Sequence, residues 1–399
     1  MGVRLTAIGW NVICLPDAND TAAAAGALDQ AKAHVAGPTI IVVQSMIGFG
    51  APKKAGTREA RGEPLGDEEA RGAKARHAWM DLMARYRERY RALARELDMI
   101  DRHELPEGWD SDIPVFPADA KGVASRESSR KVLNAIARRV PWMIGGAADL
   151  APSTKSSLTF EGAGSFEADS YGGRNLRPGI REHATGSICD DIAMFGLRAY
   201  GSGFLIFSDY MRASNRLPAI MELLVIYIFI HDSIGAGEDG PTHQPVEQLA
   251  SLRALPGMIV LRPADADEVA KAWRVMIRLR DRPTCLVLSR QALPTIDRGR
   301  CAPASGVARG AYVVADCDGF PAVVLMATSS ELSLYLGAYE TLTAEGAKAR
   351  VVSMPGWKLF EVQDESYRDA VLPPASGAGG LWSRRRPWAG TAMAARAAR

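Results

Sequence analysis

The chain has 399 residues, of which 47% are hydrophobic and 24% are charged, a composition typical of a globular protein with two or three domains. A formal net charge of +2 gives no reason to expect nucleic acid or a membrane surface as a partner. The five cysteines form no CxxC pair and the first twenty residues lack a signal-peptide pattern, so we expect a cytoplasmic protein.

The first hundred residues combine a short apolar run with a long amphipathic stretch. The run PTIIVVQSMIGFGAP at 38–52 is typical of a buried strand that leads into a glycine-containing loop. Residues 74–97 contain no Gly or Pro and carry an apolar face at helical spacing, which predicts one long helix. Residues 101–122 are rich in Pro, Asp and Gly and are predicted to form an interdomain linker.

From 123 to 296 apolar runs alternate with helical patterns. The predicted strands lie at 140–147, 199–208, 223–230, 257–264 and 283–290, and the predicted helices at 130–139, after Arg181, around 211–221 and at 265–280. This alternation predicts an α/β domain whose mostly parallel sheet has helices on both faces. Ligands are then expected at the carboxyl ends of the strands.

Two further segments follow. Residues 305–375 repeat the strand and helix patterns and are predicted to form a partial C-terminal α/β domain. Residues 376–399 contain five arginines, no acid and no assignable period. Their composition favours an irregular basic end over a tail that binds an acidic partner, because it cannot bury a core.

Two polar blocks carry the strongest functional signal. GIREHATG at 179–186 sets Glu182 between an arginine and a histidine at the predicted start of a helix, and HDSIGAGEDGPTHQP at 231–245 is a glycine-studded loop. Such a loop packs little core, and its Asp239 and His243 can contact a bound molecule. Taken without the surrounding REHATG, Glu182 is better interpreted as an acid in the first helical turn that stabilises the helix N-terminus.

The order of these and further strings resembles that of transketolase, the thiamine-diphosphate enzyme that moves two-carbon ketol units between sugar phosphates. The matching strings are AIGWNVICLPDAND (7–20), IGFGAPKKAGT (47–57), GEPLG (62–66), GGAADLAPS (145–153), GIREHATGSI (179–188), FLIFSDYMR (204–212), HDSIGAGEDGPTHQPVEQLASLRALPG (231–257), RPADADE (262–268) and LSRQALP (288–294). The string at 231–257 is far more specific than a lone glycine motif.

The resemblance implies three domains and a homodimer. Residues 1–100 resemble the end of the diphosphate-binding domain, 123–296 the pyrimidine-binding domain and 305–375 part of the C-terminal domain. The family's stretch that binds Mg²⁺ and the diphosphate has no counterpart in the sequence. We therefore expect thiamine diphosphate and Mg²⁺ as cofactors, with the metal site missing from this chain, and either a homodimer or a complementing N-terminal chain.

The resemblance also implies residue roles. Glu182 matches the glutamate that hydrogen-bonds the cofactor's aminopyrimidine in a dry pocket. The remaining cofactor residues by this resemblance are Asp149, Phe204, Phe207 and Tyr210. The residues that match family positions in contact with the sugar phosphate are Arg126, Ser153, His231, Asp239, His243 and Arg290. His243 is also expected to be catalytic. Without the resemblance, we would expect the aromatic residues to belong to the core and Asp149 to lie in a turn. Each arginine would be expected to form a surface ion pair.

One departure bears on activity: Arg61 occupies the position of a family histidine before GEPLG, and an arginine cannot shuttle a proton. The leading interpretation is ketol transfer between a ketose phosphate and an aldose phosphate through a thiamine-diphosphate carbanion. Three alternatives stay open: one subunit of a split enzyme, a non-catalytic remnant or dimerisation module, and a related thiamine enzyme. The expected pathway is pentose-phosphate metabolism or carbon fixation.

Overall fold

The computed structural model describes residues 2–7, 9–47, 49, 55, 70–374 and 378–381. The chain divides into two compact units, Met1–Ala94 and Arg95–Arg399. Arg61, the GEPLG string at 62–66 and most of the predicted basic end lie outside the described residues. Every helix in the described part of the chain is too short or too polar to cross a membrane.

The first unit contains a parallel strand pair with a covering helix. Its elements are α1 (Gly2–Ala7), β1 (Asn11–Leu15), α2 (Thr21–Ala33) and β2 (Thr39–Val43). The carboxylate of Asp20 accepts a hydrogen bond from the Ala23 N–H at 2.8 Å and caps α2. β2 was expected to be buried, but it is only half-buried and its Val43 is exposed. The reason is that β1 is its only strand partner among the described residues.

The predicted long helix is divided into two helices. α3 spans Ala70–Arg89 and α4 spans Arg91–Asp101, so the prediction of one helix over 74–97 is wrong at Tyr90. The backbone ladder continues across the division, since Tyr90 donates to the Tyr86 carbonyl at 2.8 Å and accepts from Ala94 at 2.9 Å. The irregularity is therefore a local change in backbone geometry.

A six-stranded parallel sheet forms the centre of the second unit. Its strands are β4 (Met143–Ala147), β5 (Asn175–Leu176), β6 (Arg198–Phe204), β7 (Val225–Ile230), β8 (Ile259–Leu261) and β9 (Thr284–Leu288), in the order β5-β4-β6-β7-β9-β8. Helix α5 (Ser125–Arg139) precedes β4, and the helices between the strands are α6 (Ala151–Thr154), α7 (Glu182–Met194), α8 (Arg212–Met221), α9 (Gln248–Arg253) and α10 (Ala266–Arg278). The predicted parallel α/β fold is confirmed.

Both faces of this sheet are covered. Along β7, Ile226, Ile228 and Ile230 belong to one buried cluster, whereas Tyr227 and Phe229 belong to another. Because successive strand side chains point to opposite faces, this division shows a core on each side of the sheet. It also explains why all six residues of β7 are buried.

Helices α7 and α8 approach each other closely at Gly186. A Cβ at this position would lie 2.1 Å from the Ser214 hydroxyl oxygen, so only glycine allows this spacing. The contact fixes α7 one turn after Glu182, its first residue.

Two more sheets complete the unit. β3 (Asp119–Ala124) pairs antiparallel with β10 (Ala292–Thr295). The C-terminal sheet has the order β11-β13-β12-β14, formed by β11 (Tyr312–Ala315), β12 (Val323–Ala327), β13 (Ala349–Ser353) and β14 (Ala378–Leu381), with α11 (Glu331–Ala344), α12 (Trp357–Glu361) and α13 (Glu365–Val371). β14 lies inside the segment 376–399, which was predicted to be irregular. A strand can form there because backbone pairing with β12 needs no side-chain period.

Part of the predicted linker packs into the core. Trp109 and Ile113 are buried in the same cluster as Ile226 and Ile228. Asp110 additionally forms an ion pair with Arg274 of α10 at 3.1 Å. This stretch therefore does more than connect domains, since it covers one face of the sheet.

A fully buried arginine joins the central sheet to the C-terminal sheet. Arg262 follows β8 and is 0% exposed. Its Nε donates to Asp232 Oδ2 at 2.8 Å and its Nη1 donates to Glu331 Oε2 at 3.0 Å. Ser329 donates to the same Asp232 oxygen at 2.8 Å. Asp232 follows β7 and Glu331 begins α11, so one guanidinium connects the two sheets.

Replacing this arginine tests the connection. We expect Arg262→Met to lower the free energy of unfolding by about 3–5 kcal/mol, because two buried carboxylates would lose their counter-charge. Denaturant titration followed by circular dichroism measures the change. The matched control is Arg300→Met, whose partner Glu340 lies at 3.2 Å with both side chains mostly exposed, so its loss should matter little. Equal unfolding midpoints for the two variants would contradict the assignment.

Candidate active site

The site residues follow the carboxyl ends of neighbouring strands. Phe204 ends β6, His231 directly follows β7 and Arg290 lies two residues beyond β9. Because these strands are parallel and adjacent, their ends share one edge of the sheet. This edge is where the sequence predicts a ligand.

An open cleft of about 280 Å³ occupies this edge. Its lining residues are Arg126, Pro152, Ser153, Lys155, Phe204, His231, Asp239 and Arg290. The structure thus brings together five of the six residues predicted to contact a sugar phosphate, and Phe204 from the predicted cofactor set. Pro152 and Lys155 were not predicted.

Arg126 connects two helices at the cleft. It is the second residue of α5, and its Nη1 donates to the Ser153 carbonyl of α6 at 2.9 Å. Burial and the nearby Arg290 charge lower the pKa of its guanidinium. Its Nε is buried and has no hydrogen-bond partner among the described residues. A buried donor of this kind is well suited to an anionic ligand.

His231 is the most constrained residue of the cleft. It is 2% exposed and adopts φ of 60°, a conformation that costs free energy for a non-glycine residue. Its Nε2 lies 3.2 Å from Asp239 Oδ2, and Arg290 Nε lies 3.9 Å from the same oxygen. Burial, reinforced by the Arg126 charge, lowers the pKa of His231 to about 4, although Asp239 acts in the opposite direction.

This pKa settles the charge of the imidazole near neutral pH. With a pKa this low the ring is neutral there, and the Asp239 carboxylate, 3.2 Å from Nε2, favours the tautomer that carries its proton on Nε2. Its Nδ1 is buried and has no partner among the residues that the structure describes. The ring also packs on Phe204, with centroids 4.0 Å apart.

The loop after β7 depends on Gly237, which has φ of 78° inside the turn Ile234–Asp239. Glycine adopts this conformation without a steric cost. The turn carries the chain from His231 back to Asp239, which allows their side chains to meet. The glycine pattern of the sequence block therefore has a conformational cause.

Aromatic rings form a second part of the site. Phe204 and Phe207 stack with centroids 5.8 Å apart and planes 8° apart. The His243 ring contacts both edge-on, at 5.8 Å and 5.4 Å. Tyr210 extends the row at 6.1 Å from Phe207 but is 68% exposed. His243 thus belongs to the aromatic row, whereas it does not line the cleft.

Glu182 begins α7 and is 9% exposed. Helix α7 follows β5 and precedes β6 in the chain, and both strands belong to the parallel sheet. Its first turn therefore lies at the carboxyl edge of the sheet, where β6 ends at Phe204. Its carboxylate makes no hydrogen bond to any group in the described part of the chain. A buried carboxylate at a helix N-terminus is stabilised by the helix dipole, and here it can also accept or share a proton with a ligand.

Asp149 occupies a different setting. It is exposed, has φ of 60° and lies in the turn after β4, where its N–H donates to the Ala147 carbonyl at 2.7 Å. It does not line the cleft. No group of three or more His, Cys, Asp or Glu side chains that could hold a metal ion occurs among the described residues.

Sequence reasoning missed Lys155, which stands two residues after Ser153 in the string APSTK. Side chains two residues apart on a helix do not share a face, so this spacing gave no signal. The position of Lys155 in the cleft follows from the left-handed backbone that ends α6. That conformation is not visible in a residue pattern without glycine.

Comparison with known proteins gives the family. Three family models match in succession: "Transketolase, thiamine diphosphate binding domain" over residues 1–83, "Transketolase, pyrimidine binding domain" over 121–295 and "Transketolase-like TK C-terminal domain" over 310–379. Together they account for most of the chain.

Curated relatives agree with these models. Transketolase from Geobacillus stearothermophilus is 44% identical over 405 residues, and transketolase from Bacillus subtilis is 41% identical over 403 residues. Each alignment covers 93% of this chain and 60% of the relative. The chain therefore spans about three fifths of the length of the curated relatives that it matches.

Solved structures give the same result. Transketolase from Leishmania mexicana matches with a TM-score of 0.76 at 34% identity, covering 97% of this chain and 61% of that one. Transketolase from Pichia stipitis, solved in complex with sedoheptulose-7-phosphate, matches with a TM-score of 0.73 at 34% identity, covering 93% and 60%. On sequence and fold together, the chain belongs to the transketolase family.

Proposed function

We propose that the protein transfers a two-carbon ketol unit from a ketose phosphate to an aldose phosphate with thiamine diphosphate as cofactor. The observation that carries this proposal is the cleft at the carboxyl edge, where two arginines and a neutral, buried histidine surround a polar space. A guanidinium pair suits a phosphate, and a neutral imidazole beside a carboxylate suits sugar hydroxyls.

Within this cleft the proposed roles divide by charge. Arg126 and Arg290 hold the phosphate, and Ser153 and His231 contribute hydrogen bonds to it. Asp239 accepts hydrogen bonds from the sugar hydroxyls, and its link to His231 at 3.2 Å fixes its orientation. His243 is proposed to contact both sugar and cofactor, because it lies against the aromatic row.

The described residues fit the pyrimidine half of thiamine diphosphate. The stacked Phe204 and Phe207 rings offer an apolar wall to a flat heterocycle, with Tyr210 at the outer end. Glu182 offers a carboxyl on a side chain that is only 9% exposed, which suits a hydrogen bond to a ring nitrogen. When bound, the cofactor supplies the nucleophilic carbon that the protein lacks. Asp149 is proposed as a more distant, exposed contact.

We further propose Mg²⁺ as a companion of the diphosphate, and a second polypeptide as the source of the remaining ligands. That polypeptide is either another copy of the chain, in a homodimer, or a complementing N-terminal chain. Large apolar side chains left exposed on α7 and α8 support a protein contact. They are Ile188, Met194, Leu217, Ile220 and Met221.

The same proposal assigns the reaction to cytoplasmic sugar-phosphate metabolism, either the pentose-phosphate pathway or carbon fixation. All five cysteines are free thiols, which is common in a reducing compartment.

The carboxyl of Glu182 provides the direct test. We expect Glu182→Gln to reduce turnover of xylulose-5-phosphate and ribose-5-phosphate by roughly 10²–10⁴-fold, because an amide cannot share a proton with the pyrimidine. Turnover is measured with thiamine diphosphate and Mg²⁺, for the chain alone and with a complementing N-terminal chain. The control is Asp191→Asn, which removes an exposed acid from the same helix.

Three results are distinguishable. Activity only with the complementing chain supports the split form of the proposal. Equal activity of Glu182→Gln and Asp191→Asn would contradict the role of Glu182. Absence of turnover and of cofactor binding under both conditions would contradict enzymatic function and favour a non-catalytic remnant.

His231 predicts a pH dependence of stability. Its pKa is about 4 in the folded protein and 6.5 in the reference state, so between these values the unfolded chain binds more protons. Stability is therefore complete above about pH 6.5 and falls as the pH drops towards 4, by at most about 1.4 kcal/mol per pH unit. We expect His231→Gln to flatten this slope in denaturant titrations at several pH values. His77→Gln, at an exposed position of α3, should keep the slope. An unchanged slope in His231→Gln would refute the burial argument.

A further inference from the structure

Lys155 lines the cleft together with Arg126 and Arg290. It ends α6 with φ of 57°, and its N–H donates to the Ala151 carbonyl at 3.0 Å. A left-handed lysine is uncommon, and such a conformation at a cleft is a reason to ask what its side chain does there. Neither the predicted roles nor the proposed function uses it.

The lysine is held at the cleft by an acid. Lys155 Nζ lies 3.3 Å from Glu127 Oε1, and Arg130 Nε lies 3.1 Å from Glu127 Oε2. Burial acts to raise the pKa of Glu127, but the hydrogen bonds from Arg130 and Lys155 hold it below its ordinary value. Glu127 is therefore a carboxylate with two cationic partners. If Lys155 moves away, the ion pair with Arg130 remains.

The position of this acid matters for the cleft. Glu127 directly follows Arg126 in α5 and its charge acts on the Arg126 guanidinium, so the carboxylate that holds Lys155 lies near a phosphate-binding candidate. Lys155 is about one-third exposed and has a flexible four-carbon stem. Its ammonium can therefore exchange Glu127 for a ligand oxygen without a change in the backbone.

We propose that Lys155 is a third cationic ligand of the phosphate cleft, paired with Glu127 when the cleft is empty and shared with a doubly charged phosphate when it is filled. The inference deepens the proposed function and rests on it for the identity of the ligand. It makes Lys155 a specificity residue: three cations favour a phosphate dianion over a monoanion or an uncharged sugar.

Binding of inorganic phosphate tests this without catalysis or cofactor. Isothermal titration calorimetry on the full chain at low ionic strength compares wild type, Lys155→Gln, Glu127→Gln and the double variant. We expect Lys155→Gln to weaken phosphate binding roughly threefold to tenfold at about pH 8, and less at about pH 5, where phosphate carries one charge fewer. Glu127→Gln should strengthen binding, because the ammonium is released to the ligand. This gain should vanish in the Lys155→Gln background.

The matched control is Lys131→Gln, which removes an exposed lysine from the same helix α5 outside the cleft lining. Wild-type affinity in this variant shows that the loss of one positive charge is not by itself sufficient. Thermal unfolding of each variant shows that the fold is retained.

Two outcomes overturn the inference. One is Lys155→Gln with the affinity of Lys131→Gln, and the other is Glu127→Gln with weakened binding, which would make the pair structural only. Arg290→Gln separates the proposals: weaker binding in Arg290→Gln with no effect of Lys155→Gln refutes the role of Lys155 and leaves the phosphate cleft intact. Absence of phosphate binding by wild type counts against both.

Discussion

The site geometry depends on one buried guanidinium. Arg262 neutralises Asp232 and Glu331 in a region without solvent, and Ser329 adds a hydrogen bond to the same Asp232 oxygen. Asp232 is therefore fixed from two sides, and the next residue towards the N-terminus is His231, held at φ of 60°. A strained residue persists only where its surroundings fix it. The C-terminal sheet thus supports the cleft although it contributes no residue to the cleft lining.

The electrostatics of the cleft follow from the burial of His231. Burial, reinforced by the charges of Arg126 and Arg290, lowers the pKa of His231 to about 4, although Asp239 acts in the opposite direction. In the proposed function the ring is a neutral hydrogen-bonding group, and the phosphate is bound by the longer cationic side chains. Asp239 contacts both types of group. Asp239 orients the imidazole of His231 and keeps Arg290 near the cleft, so one carboxylate serves both residues.

Local patterns in the sequence predicted the strands and helices well, because apolar runs and helical spacing directly reflect burial on two sheet faces. Specific motifs predicted Glu182, His231 and Arg290, whose places follow from strand ends. The pairing of Lys155 with Glu127 could not be predicted, since it joins positions 28 residues apart through the packing of α5 and α6. The exposure of Tyr210 and Asp149, and the division of the helix at Tyr90, likewise depend on tertiary context that no local pattern contains.

The central claim is that the buried carboxyl of Glu182 activates thiamine diphosphate. Its most direct measurement is the rate at which the thiazolium C2 proton of the bound cofactor exchanges with deuterated water, followed by nuclear magnetic resonance after rapid quenching. The account predicts exchange much faster than in the free cofactor for the wild-type chain with its complementing partner, and a return towards the free rate in Glu182→Gln. Equal exchange rates for the bound and free cofactor, or a fast rate that survives Glu182→Gln, would contradict it.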